Sequence, residues 1–156
     1  MSSRDLTIKG LFGCFAAGVT VVTTMDKGEN PRGMTVSSFS AVSLEPPLIL
    51  YCLGDHAVNF SHFADADDFA VNILSEGQQS LSNRFADASQ PDWPTLAYRT
   101  LTSSSPVLDG CLGTLDCRQL STTRQGDHLV IIGEVVDSDG PYTGAPLIYH
   151  RGLYLT

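Results

Sequence analysis

The chain has 156 residues, 42% of them hydrophobic and 17% charged, a balance expected of one globular domain spanning 1–156. Net charge is −8 and the nine Lys and Arg are scattered, which argues against nucleic acid or an anionic membrane as partner. Apolar runs stop short of the ~20 residues a bilayer span needs, no signal-peptide core follows Met1, and the four cysteines form no CxxC pair, so the expected compartment is the cytoplasm.

Residues 6–17 space apolar side chains at 8, 11, 12 and 15, which predicts a short helix ending at Gly18. Residues 19–25 are β-branched almost throughout and read as a strand, turned by Asp26-Lys-Gly28. Residues 34–38 form a second strand, paired with the first as a hairpin. Residues 39–44 are less regular, and Pro46-Pro47 forbids a helix before the apolar run 48–53. That run reads as a central strand covered on both faces. Gly54 breaks it, and Asp55 is placed to cap a helix over 56–64.

A strand over 69–74 comes next. Ser75-x-x-Gln78 is a capping box that opens a helix through Leu81 and Phe85. Residues 86–98 hold two prolines and Trp93, the composition of a surface loop long enough for a lid or a partner contact. Beyond Pro106 the chain is strand-like. Residues 115–120 alternate polar and apolar, 123–127 turn, and 129–136 form the most apolar strand, where Gly133 marks a bulge or a close approach. Residues 140–146 form a loop and 147–155 close the fold. Six or seven strands with two or three short helices, joined mainly by turns, predict a mainly β chain: a closed or split antiparallel barrel with peripheral helices.

Familiar chemistry is missing. No G-x-G-x-x-G follows a strand, no phosphate-binding loop ending in Gly-Lys occurs, and no two histidines stand at metal-ligand spacing. What stands out is the stretch Gly33-Met-Thr-Val-Ser-Ser-Phe-Ser-Ala-Val-Ser-Leu-Glu-Pro-Pro47. On a strand, Thr35 and Ser37 share one face while Ser38 and Ser40 share the other. Such an edge can bind a phosphate or the polar rim of a ring, or it can simply be a wet strand face. Arg84 either complements its helix dipole or neutralises a phosphate. Cys52, in an apolar strand, reads as an inert packed thiol.

Several segments carry a family resemblance: Gly-Val-Thr-Val-Val-Thr-Thr at 18–24, the stretch 33–50, Phe-Ala-Val-Asn-Ile-Leu at 69–74, Arg-Phe-Ala at 84–86, Gly-Asp-His at the start of 126–135, and Tyr-His-Arg-Gly-Leu-Tyr at 149–154. In this order the chain resembles the flavin reductase-like family, the short-chain NAD(P)H:flavin oxidoreductases that serve two-component flavin monooxygenases.

The resemblance implies a split antiparallel β-barrel (an FMN-binding split barrel) with short peripheral helices, and a homodimer. It implies noncovalent FMN, or FAD in its place, with NADH or NADPH as co-substrate and a flavin-dependent monooxygenase receiving the reduced flavin by diffusion. The flavin would be held by Met34, Thr35, Val36, Ser37 and Ser38, with Ala41, Val42 and Ser43 near its ring. Cys52, Leu53, His56 and Asn59, with Arg84, Phe85 and Ala86, would complete the phosphate and ribityl contacts. Asp127, His128, His150 and Tyr154 would meet the nicotinamide nucleotide. No side chain beyond these positioning groups is expected to act catalytically, His128 being the one candidate. A non-catalytic flavin-binding or electron-transfer module on the same barrel is the alternative.

Overall fold

The computed structural model of the protein describes residues 3–87 and 92–155, and strands dominate it. The first half runs α1 (Ser3–Phe12), β1 (Ala17–Gly18), β2 (Thr20–Met25), β3 (Pro31–Val36), β4 (Ser40–Leu44), β5 (Pro47–Gly54), α2 (Phe60–Ala64) and β6 (Asp68–Ile73). The second half adds α3 (Gln79–Ala86), β7 (Tyr98–Arg99), β8 (Val107–Leu108), β9 (Gly113–Gln125), β10 (His128–Asp139), β11 (Ile148–His150) and β12 (Leu153–Leu155). Seven strands make one antiparallel sheet in the order β3-β2-β6-β9-β10-β5-β4, and β1-β11-β12 make a small second sheet.

The long sheet rolls up. Val36 on β3 and Tyr51 on β5 come from near opposite ends of the strand order, yet they share one core with Val22, Phe69, Val71 and Ile131. The outer strands β3 and β4 do not pair with each other, so the barrel is split along that seam, as expected. Ser38 ties the seam: its hydroxyl accepts from the Cys52 N–H at 2.9 Å and donates to the Cys52 carbonyl at 3.1 Å. The bend has a local cause at Gly133. The pairing register slips between Ile132 and Gly133, and a Cβ at this position would stand 2.4 Å from the Phe69 ring.

A second core lies on the other side of β2 and β6, built from Val19, Val21, Leu74, Phe85, Leu108 and Leu147. These two strands, between two cores, are the ones covered on both faces. The run 48–53 is not. On β5, Ile49, Tyr51 and Leu53 point into the barrel while Leu48, Leu50 and Cys52 are only half-buried on the outer face. Within β10 only Ile131 and Gly133 are buried. A continuous apolar run looks the same in sequence whether or not its own chain covers it.

Other departures are local. The expected helix over 6–17 is α1, displaced toward the N-terminus, and Leu11, Phe12 and Phe15 face solvent instead of a core. The helix expected over 56–64 contracts to α2, with Asn59 at its N-cap, while Asp55 pairs with Arg124 instead of capping it. Residues 39–44, expected to be irregular, contain β4. The second strand spans Pro31–Val36 rather than 34–38. The capping box forms: the Ser75 N–H donates to Gln78 Oε1 at 3.0 Å and opens a 3-10 turn leading into α3. Part of the 86–98 loop is a 3-10 turn at Trp93–Thr95, while Pro91 and its neighbours 88–90 lie outside the described residues. No helix among the described residues is long and apolar enough to cross a membrane.

Candidate functional site

An edge strand leaves part of its backbone N–H and C=O groups unpaired, and β3 is the edge strand at the seam of the barrel. Beside it lies a cavity of about 470 Å³, a size typical of small-molecule sites. Four segments build its wall. Met34, Thr35 and Ser37 come from β3 and the residues after it, His56 to Asn59 from the turn after β5, Phe85 to Asp87 from the end of α3, and Tyr149 and Tyr154 from the second sheet.

Local sequence explains why these segments meet. Gly33 lacks a Cβ where one would stand 2.3 Å from the Phe85 ring, so α3 packs directly onto β3. Thr35 Oγ donates to the Ser82 carbonyl at 2.6 Å and fastens the same pair. Trp93 meets Phe85 edge-on at 5.3 Å and backs it from outside. Tyr149 and Tyr154 are registered partners on β11 and β12, with ring centroids 5.2 Å apart, and the Tyr154 hydroxyl is 2.8 Å from Ser82 Oγ.

The chemistry of the wall is mixed. Asn59 is buried, 6% exposed, and its side-chain amide has no hydrogen bond among the described residues. An amide offering both donor and acceptor, the exposed Ser37 hydroxyl and a free strand edge stand among Met, Ala, Val, Phe and Tyr side chains. That donor set fits a flat aromatic ring with a polar rim, which is the shape and polarity of a flavin. No Lys or Arg is among the lining residues, so the wall itself offers hydrogen bonds rather than fixed positive charge.

The tip of the β9–β10 hairpin stands next to this wall. His128 is registered opposite Gly54, and the Asp55 N–H donates to the Asp127 carbonyl at 3.0 Å. Arg124 pairs with Asp55 and lies over the Phe60 ring. His128 Nδ1 is 2.8 Å from the Asp127 carboxylate. That hydrogen bond, with a smaller contribution from the charge of His56, holds the Asp127 carboxyl below the usual carboxylate range.

Of the residues expected from the resemblance, Met34, Thr35, Ser37, His56, Asn59, Phe85, Ala86 and Tyr154 line the cavity. Val36 and Leu53 are buried in the barrel core, and Ser38 and Cys52 are bonded to each other at the seam. Ala41, Val42 and Ser43 lie on β4, outside the wall, where the pairing with β5 is irregular. Arg84 donates to Thr95 Oγ at 2.9 Å and is not part of the wall. Asp127 and His128 border the cavity through His56 without lining it. His150 lies on the face of its hairpin opposite to Tyr149, because adjacent strand residues alternate.

Wall residues that sequence reasoning missed include Val19 and Tyr149. For Tyr149 a signal was present. Arg151-Gly152 turns the chain with positive φ at both residues, which sets 149 opposite 154 on one face of a hairpin. The buried thiols of Cys111 and Cys117 are pushed up by burial to about 11 and about 12, which leaves them unreactive. Among the described residues no group of His, Cys, Asp or Glu could hold a metal ion.

A family model described as "Flavin reductase like domain" matches residues 12–156. The reductase component of a flavin-dependent trigonelline monooxygenase from Acinetobacter baylyi is 38% identical over 150 residues, which cover 96% of this chain and 48% of that protein. An NADH-dependent FAD reductase from Streptomyces globisporus is 38% identical over 138 residues, covering 83% of this chain and 72% of that protein. A solved structure of an NADH:FAD oxidoreductase from Streptomyces globisporus, in complex with NAD and FAD fragments, superposes with a TM-score of 0.90 at 33% identity, covering 100% of this chain and 94% of the other. This chain spans about half the length of the first curated relatives it matches, 48% in each case.

Proposed function

The chain belongs to the flavin reductase like domain family, and from that premise we propose that it is an NAD(P)H:flavin oxidoreductase. It passes a hydride from NADH or NADPH to FMN, with FAD the alternative acceptor. A flavin-dependent monooxygenase receives the reduced flavin by diffusion. Relatives named as reductase components of such monooxygenases support that partner.

One observation carries the reading. Asn59, whose amide has no hydrogen bond among the described residues, and the edge strand β3 line the same cavity as a braced pair of tyrosines, beside the hairpin tip that holds His128. When bound, the flavin supplies the hydride acceptor and the nicotinamide the donor, so the hard chemistry belongs to the coenzymes. The chain's own residues orient and shield them. The β3 edge and Asn59 hold the polar rim, where N–H donors also stabilise negative charge that develops there. Phe85, Tyr149 and Tyr154, which line the cavity, would exclude water and hold the two rings against each other once both are bound. His128, anchored by Asp127, is assigned to the nucleotide.

Residues 1–156 act as one domain in this reading, in the cytoplasm, where the four free cysteines stay reduced. The chain pairs as a homodimer. Leu48, Leu50 and Cys52 on β5 and Val130 and Ile132 on β10 leave an only partly buried apolar face that a second copy would cover.

The deciding experiment mixes purified protein with free FMN or FAD and with NADH or NADPH, and follows nucleotide absorbance. Oxidation in at least one combination is expected. No oxidation in any of the four would overturn the reductase reading, and a yellow protein without turnover would favour the flavin-binding module.

A further inference from the structure

We propose that Ser82, which does not line the cavity, is a positioning residue: its hydroxyl fixes the Tyr154 ring and thereby the place the nicotinamide takes against the flavin. The proposal rests on the reductase reading above. Ser82 is fully buried in α3 and holds two neighbouring elements at once. Its carbonyl accepts from Thr35 Oγ at 2.6 Å, and its hydroxyl is 2.8 Å from that of Tyr154. The edge strand β3, helix α3 and the second sheet are therefore tied through one residue, and each of the three contributes to the cavity wall.

The arrangement is not what helix chemistry alone produces. A serine within a helix ordinarily turns to solvent or bonds back to its own helix. This one reaches a side chain 72 residues away in sequence. A tyrosine hydroxyl held against protein needs a partner, so the phenol settles where Ser82 offers one. Tyr149 is then braced edge-on against a ring that cannot swing. A ring ordered before binding loses less freedom when a second flat ring stacks at the same wall.

Three proteins test this: Ser82→Ala, Tyr154→Phe and the double variant. In ligand-free protein carrying ring-labelled tyrosine, NMR should show the Tyr154 signal shifted and averaged in Ser82→Ala, with that of buried Tyr51 unmoved. In the flavin-loaded enzyme the nucleotide KM should rise about tenfold in either single variant, and Ser82→Ala, which leaves the wall itself intact, should keep its flavin Kd. The double variant should be no worse than either single one, because the same bond is lost in all three. A Tyr154 signal indifferent to Ser82→Ala, additive losses in the double variant, or a parallel fall in the flavin affinity of Ser82→Ala would each overturn the positioning role. Absence of nucleotide oxidation by the unaltered chain would instead overturn the reductase reading, and the ligand-free NMR result would still decide whether Ser82 orients Tyr154.

Discussion

Ser37 and Ser38 are adjacent and identical, and they do different things. Ser37 opens into the cavity, whereas the Ser38 hydroxyl bonds both backbone groups of Cys52. Strand alternation already separates them in sequence: Thr35 and Ser37 share a face, and Ser38 belongs to the other. Ser37→Leu should therefore weaken flavin binding, about tenfold or more, at unchanged Tm. Ser38→Ala should instead lower stability by about 1–3 kcal/mol, since it leaves the Cys52 N–H without its partner. Flavin fluorescence titration and denaturant unfolding of the two variants separate these outcomes; equal effects on both quantities would contradict the assignment. His128 poses a similar question at the hairpin tip. His128→Ala should raise the nucleotide KM several-fold with flavin Kd near normal, because His128 borders the cavity without lining it. A matching loss of flavin binding would show instead that it serves only to hold the tip on Gly54.

At the scale of elements, the strands were easier to locate than their surroundings. β2, β5, β6 and β10 all stand where β-branched and apolar runs predict them, but β5 is not covered on both faces as its apolar run predicts. β2 and β6 lie between two cores while β5 and β10 turn one face outward. Helices fared less well for a different reason. The α1 segment carries helical spacing, yet Leu11 and Phe12 are mostly exposed, so its periodicity does not mark a face buried in the core. The Gly133 reading was sharper because a glycine inside an apolar strand has few explanations. Gly133→Ala should lower stability by about 1–3 kcal/mol, as the new methyl meets the fully buried Phe69 ring, and a shifted urea midpoint with unchanged slope would record it. An unchanged midpoint would mean that the bend does not depend on a missing Cβ.

For the whole molecule, the open face of β5 and β10 sets the main expectation. Leu50 and Ile132 are registered partners near its middle. Sedimentation should show a dimer for the unaltered chain and a monomer for Leu50→Asp combined with Ile132→Asp, since two carboxylates cannot be buried unpaired across an apolar contact. A wild-type chain that sediments as a monomer would remove the dimer from the proposal. The cavity is also a property of the whole chain. Its wall draws on residues from Val19 to Tyr154, and neither the β3 edge nor the tyrosine pair makes a site alone.

By itself the sequence determined where β2, β5, β6 and β10 lie, where the capping box and Gly133 act, and, through ordered family-like segments, that a flavin is the ligand to expect. Those features are local, or they repeat a pattern written along the chain. Only the tertiary structure decided which hydroxyls reach the cavity and which stitch the barrel, that Arg84 turns to Thr95, and that Tyr149 stands beside Tyr154 with Ser82 behind it. Each of these depends on which elements become neighbours when the sheet rolls up. Side-chain periodicity sets the face of a residue but not what lies opposite that face.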